Sequence, residues 1–209
     1  MTDLFAKHRQ TLDKALDACE KRYSWTAYPE SPSSKIHGQE KPAAGRARFE
    51  ALLGTDYPLA QPGEVGRTGG EISPYTGEPL AISYPRMDVS RLYDAITRAM
   101  PDWRAATAET RIGVCLEILD RCADQLFENA HATMHTSGQS YIMAFAGSGA
   151  NALDRGLEAL AYARKAMADI PATATWERQF GSGGAARLQK QYHLVPRGIG
   201  VVICCATFP

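Results

Sequence analysis

The chain has 209 residues, 44% of them hydrophobic, which is enough apolar material for one large or two small packed domains. Lys plus Arg and Asp plus Glu both total 23, so no net field pulls toward nucleic acid, and no basic stripe with interleaved aromatics supplies a local one. The opening MTDLFAKHRQTLDKALDACEKR is charged throughout, so it reads as neither a signal peptide nor a membrane span, and the cytoplasm is the expected location.

Leu4, Leu12, Leu16 and Cys19 recur at near-helical spacing behind Thr2-Asp3, which can cap, and predict an amphipathic helix over 3–21. From Tyr23 to about Gly70 the density of Pro, Gly and Ser predicts a wrapped loop broken by one short helix over 46–53. GEISPYTGEPLAISYP then predicts a hairpin around Pro-Tyr-Thr-Gly, with Gly77 at the positive-φ position and Ile72, Leu80 and Ile82 as apolar faces. Asp88 starts a helix that Met100-Pro101 should interrupt, because proline cannot continue the backbone ladder, with Trp103 packing the corner. A longer helix is expected over 108–128, where Ile112, Cys115, Leu116, Leu119, Cys122 and Leu126 form one stripe. ENAHATMHTSG continues helically and stops at Gly138, a good C-cap.

The stretch 140–170 divides in two ways, as strand, glycine loop and helix or as one long helix containing two glycines. The first division matters because Gly147, Gly149 and Ala152 spell G-x-G-x-x-A, the dinucleotide fingerprint. Topology argues against it: the acidic partner should close a second strand, whereas Asp169 ends a helix and Pro171 follows. Gly181, Gly183 and Ala186 repeat the spacing but lead into ARLQKQYHLVP, which alternates as a strand. One strand is therefore expected over 187–195 and another over 199–205, joined by Pro196-Arg197-Gly198. The second is apolar on both faces, as an inner strand of a helix-covered parallel sheet would be.

Five cysteines, Cys19, Cys115, Cys122, Cys204 and Cys205, have no metal-ligand spacing and suit a reducing compartment; Cys115 and Cys122 share one helix face and read as core packing. His131 and His135 stand one turn apart, but without an intervening glutamate or a third ligand they read as surface or capping residues, and no metal is expected. His193 reads as solvent-facing or interfacial.

The order SPYTGEPL, then AITRAMPDWRAATAETRIGVCLEILDRCADQLFENAHATMHTSGQS, then VPRGIGVVICCATFP resembles the N-terminal part of the aldehyde dehydrogenase superfamily over roughly residues 70–209. That family shows Asn-Pro-x-Thr-Gly-Glu, a helix with Pro-x-Trp, a helix ending near Glu-Thr-Gly-Lys, then Pro-x-Gly-Val and a buried strand running into Pro-Trp-Asn-Phe-Pro. With MTDLFAKHRQTLDKAL and ATATWERQFGSG, the chain looks closest to the phenylacetic acid degradation protein N branch.

The resemblance implies an α/β fold: long helices, a hairpin and the first strand of a doubly wound nucleotide-binding sheet. Residues 1–69 would be an N-terminal helix and wrapped extension, and 70–209 an incomplete nucleotide-binding domain carrying part of an oligomerisation hairpin at about 176–195. It further implies NAD or NADP as cofactor, a small-molecule aldehyde as substrate, a CoA-linked semialdehyde being one candidate, and a homo-oligomer. The loop of Ile203, Cys204, Cys205, Ala206 and Thr207 would line the cofactor pocket. Thr207 falls where the family holds its oxyanion-stabilising asparagine, and a lost oxyanion donor costs about 2.7–4 kcal/mol in other enzymes. The family's nucleophilic cysteine and general-base glutamate would lie beyond position 209, so the 209 residues alone should be inactive. Cys204 and Cys205 align with the cofactor loop instead. The alternative reading is a non-catalytic binding or assembly module.

Overall fold

A computed structural model gives the structure of the chain and describes residues 3–203. Its centre is a packing of three long helices. α1 (Leu4–Lys21) begins where Asp3 Oδ1 accepts the Ala6 N–H at 3.1 Å, an N-cap as the sequence suggests. Its buried stripe is Phe5, Leu12, Ala15 and Ala18, while Leu16 and Cys19 pack at the margin. These residues meet Ile112 and Leu116 of α5 (Ala108–Asp124) and Leu157 and Ala161 of α8 (Ala152–Ala168). Cys19, Cys115 and Cys122 are half-buried free thiols, in keeping with packing roles.

The loop-rich stretch after α1 holds more structure than its composition suggests. A single turn, α2 (Ser34–His37), precedes α3 (Glu40–Leu52), which is longer than the helix expected over 46–53. Pro42 reads as a breaker in sequence, yet it falls in the first turn of α3, where backbone N–H groups lack helical partners anyway. β1 (Glu64–Thr68) pairs antiparallel with β2 (Tyr84–Met87). The Pro-Tyr-Thr-Gly turn forms as expected, with Gly77 at φ +73, but its flanks contribute only the bridge between Ile72 and Pro79. Leu80 and Ile82 are buried with Phe49, whereas Ile72 faces solvent.

α4 (Val89–Ala105) does not stop at Pro101. The proline forfeits one ladder bond, yet its own carbonyl still serves, and one more turn closes with the Ala106 N–H on the Asp102 carbonyl at 3.0 Å. The helix expected over 108–128 divides instead at Gln125, whose N–H closes on Cys122, and α6 (Leu126–Ser137) restarts and ends on Gly138 at φ +76. The 140–170 stretch is helical throughout: α7 (Tyr141–Met143), widened π-helical turns (Ala144–Asn151), then α8. The π-turns bury Ala144, Phe145 and Ala150, and Phe145 joins Leu126, Phe127 and Ala130 of α6.

Beyond α8, β3 (Thr173–Gln179) and β4 (Ala185–Gln191) make a two-stranded antiparallel ribbon that begins three residues before 176. β4 stops short of the predicted residue 195 because its partner begins at Thr173; one further bond, the Tyr192 N–H on the Ala172 carbonyl at 2.9 Å, ends the pairing. The expected half-buried face is absent too, since the ribbon stands almost wholly exposed. The apolar run predicted as an inner strand over 199–205 is also corrected. Among the described residues 199–203 form no strand, and Val201, Val202 and Ile203 are 84%, 87% and 91% exposed. An inner parallel strand draws its hydrogen bonds from neighbours on both edges, and the described sheets are only β1–β2 and β3–β4.

Candidate functional site

α4 and α5 meet at a corner, Ala106-Thr107, where the Thr107 hydroxyl caps α5 by accepting the Thr110 N–H at 3.1 Å. Against this corner lies a largely apolar cleft of about 650 Å³ walled by Ile96, Met100, Trp103 and Val114, with Gly198, Ile199 and Gly200 along one side. Trp103 thus lines the corner the sequence assigns it to. Arg111 holds the arrangement: its guanidinium donates to the carbonyls of Ala106 at 2.9 Å and Leu194 at 2.8 Å, and approaches Met167 Sδ at 3.7 Å. It ties the strand leaving β4 to the helical core and so delivers 198–200 to the cleft. Sequence reasoning misses this residue, because a single arginine beside an apolar stripe carries no local sign of a carbonyl 83 positions away.

Ile203, the first of the expected cofactor-loop residues, leaves this cleft into solvent; Cys204, Cys205, Ala206 and Thr207 lie outside the described residues. Neither glycine motif fits a dinucleotide. Gly147 and Gly149 sit inside the π-turns with no strand before them. Gly181 and Gly183 sit in the turn between β3 and β4, which opens no helix. Asp169 ends α8 and accepts from Lys165. None of the half-buried cysteines is set as a nucleophile, and burial pushes the Cys115 thiol up, away from thiolate.

Two further polar clusters stand elsewhere. His131 and His135 stack on the Phe49 ring at 6.1 and 5.1 Å, half-buried beside a cavity of about 500 Å³, which corrects the surface or capping role expected of them. His8, Glu117 and Asp120 bring their ligand atoms within 4.8 Å of one another, but Lys7 Nζ already bridges the carboxylates at 2.7 and 3.0 Å. Hydrogen bonds from Lys7, then His8 and Arg121, hold the Glu117 carboxyl down at about 2.

No family model and no curated protein matches the chain. Solved structures do, and the fold they define is that of part of an aldehyde dehydrogenase. The NAD-dependent aldehyde dehydrogenase from Burkholderia multivorans is 44% identical with a TM-score of 0.94; the match covers 100% of this chain and 37% of that one. The Delta-pyrroline-5-carboxylate dehydrogenase from Mycobacterium tuberculosis is 19% identical with a TM-score of 0.55, covering 74% of this chain and 30% of its own, and shares the fold. The same enzyme bound with NAD gives 0.56 over 75% of this chain and 31% of that one. The chain therefore spans about a third of the length of the dehydrogenases it matches, in keeping with an N-terminal portion. No helix among the described residues is long and apolar enough to cross a membrane.

Proposed function

We propose that the chain is the N-terminal portion of an NAD(P)-dependent enzyme of the aldehyde dehydrogenase superfamily, acting in the cytoplasm on an aldehyde of phenylacetic acid degradation, a CoA-linked semialdehyde of the ring-opening stage. The observation that carries the reading is the 44% identity to an NAD-dependent aldehyde dehydrogenase sustained over 100% of this chain. In such an enzyme the nicotinamide supplies the hydride acceptor.

The part assigned to this chain is scaffold. Residues 1–69 are the extension and 70–209 the start of the nucleotide-binding domain. The cleft at the α4–α5 corner, with exposed Val201, Val202 and Ile203 beside it, is where further sheet and helix of that domain pack. An exposed apolar run of this kind supports a surface meant to be covered. Thr207, outside the described residues, is assigned by the resemblance alone to the position of the family's oxyanion asparagine. The β3–β4 ribbon pairs with another copy: Trp176, Leu188, Arg178 and Lys190 share one face, Thr175, Glu177, Arg187 and Gln189 the other, and an isolated two-stranded ribbon is marginal in water.

The 209 residues alone should give no aldehyde-dependent reduction of NAD or NADP, while the longer product of the gene should; turnover by the 209-residue chain overturns the assignment. Sequencing the downstream DNA is the companion test. An in-frame continuation carrying a cysteine in a glycine-rich setting supports the dehydrogenase. A stop codon, with a monodisperse and cooperatively melting chain, favours a non-catalytic assembly module.

A further inference from the structure

We propose that Ser73 and His135 form a pH-sensitive latch, which clasps the 73–77 turn to the end of α6 while His135 is neutral and releases it when the imidazole takes up a second proton. Ser73 is wholly buried. Its Oγ accepts the Tyr75 N–H at 3.2 Å and, more loosely, the Thr76 N–H at 3.4 Å, and lies 2.7 Å from His135 Nδ1. A hydroxyl has two acceptor lone pairs and one proton. With both lone pairs engaged by backbone donors, the contact to His135 must use the proton, so Ser73 donates and Nδ1 accepts. The neutral ring then carries its own proton on Nε2.

Imidazolium has N–H at both nitrogens. Protonation at Nδ1 would set two hydrogens against each other in a 2.7 Å contact, unless Ser73 turns a lone pair toward the ring and so surrenders one of the two amides, the Thr76 N–H at 3.4 Å being the weaker held. Those amides tie the tip of the turn, whose base the Gly77 N–H on the Ser73 carbonyl at 2.8 Å and the Ser73 N–H on the Glu78 carbonyl at 2.9 Å keep closed. The same turn grips α6 through the Tyr75 hydroxyl, which donates to the carbonyls of Gly138 at 3.2 Å and Gln139 at 2.6 Å. Protonation is thereby coupled to loosening of the turn and to opening of the 500 Å³ cavity it shares with α3.

The groups facing the ring weigh on the same side. From α3, Phe49 stacks on it and Arg46 lines the cavity beside Glu50, to which Arg46 donates at 2.8 Å. From the turn come the Tyr75 ring at 5.9 Å and Glu78 at the cavity wall. On α6 itself stands His131, whose other neighbour is the Tyr141 ring at 4.8 Å. Burial first, and Arg46 second, hold His135 below the ordinary imidazole value of 6.5. Burial, Arg46 and His135 do the same for His131, against Glu50. A folded value below the unfolded one makes the latch's contribution fully present above about pH 6.5 and lost as pH falls through the folded value.

Long-range ¹⁵N–¹H NMR on the 209-residue chain at about pH 7.5 should show His135 as the Nε2–H tautomer. Amide-exchange protection at Tyr75 and Thr76 should fall by up to about tenfold per pH unit from about pH 6.5 down to the folded value and level off below it. His135→Gln should remove that pH dependence and His131→Gln should keep it. An Nδ1–H tautomer, protection unchanged down to about pH 5, or a loss that persists in H135Q overturns the latch. The tautomer reading needs no variant, so it stands even where a substitution unfolds the chain.

Discussion

Replacing Gly113 by alanine tests how closely the three-helix centre is packed. An added Cβ at Gly113 would lie 2.6 Å from the Phe5 nitrogen and 3.0 Å from both Leu4 C and Phe5 Cα, all backbone atoms of α1. Restoring ordinary contact at 3.4 Å requires the start of α1 to retreat by about 0.8 Å, and Phe5, which closes one end of the core, must move with it. Overpacking costs about 1–3 kcal/mol, and three backbone atoms that cannot swing aside put this site at about 2–3; alanine's helix propensity returns about 1, so Gly113→Ala should lose about 1–2 kcal/mol net. Gly156 in α8 is the contrast. There the nearest atom is Leu119 Cδ2 at 3.0 Å, the far end of a flexible side chain, so the propensity gain should prevail and Gly156→Ala should be neutral or slightly stabilising. Urea unfolding followed by circular dichroism at 222 nm reads both, with the midpoint compared at unchanged slope. Equal stability of G113A and wild type, or a G156A less stable than G113A, would refute the α1–α5 packing drawn from the structure.

Asp154 anchors the strap after α1, accepting from the Thr26 hydroxyl and, at 3.2 Å, from the Ala27 N–H. Asp154→Ala should therefore lose about 1–3 kcal/mol by urea unfolding and Asp154→Asn less, and an unchanged D154A would detach the strap from the core. Glu117, with its folded carboxyl at about 2 against an ordinary 4.5, contributes stability that is complete above about pH 4.5 and lost as pH falls toward 2. The fall in urea midpoint across that window should flatten in Glu117→Gln, and an identical slope in both proteins would show that the Lys7, His8 and Arg121 contacts do not matter. Leu188→Glu, on the ribbon face that carries Trp176, should lower the assembly state seen by sedimentation without changing helical content, and unchanged assembly would remove the ribbon from the interface.

The helices were legible because their signal is local. Asp3, the stripe of α5 and Gly138 each act within a few residues, and the G-x-G-x-x-A motif fails on the ground its sequence offers, Asp169 ending a helix, as well as on the π-turns that hold its glycines. Pro101 misled, and the Pro, Gly and Ser density over 23–70 hid most of α3, because a proline's effect depends on its place in the ladder, which composition does not record. The strands were less legible still. Apolar runs at 72–82 and 199–203 carry β-propensity, yet pairing is a property of two segments: Tyr84–Met87 found Glu64–Thr68, while Val201 and Val202 have no strand beside them among the described residues. The same non-locality hid Arg111 and the Ser73–His135 contact, 62 positions apart. The dehydrogenase resemblance depends on none of these strands individually. It rests on the order of three segments, the turn, the helices and VPRGIGVVICCATFP, and the fold matches an aldehyde dehydrogenase even though the described part of the last segment stands open to solvent.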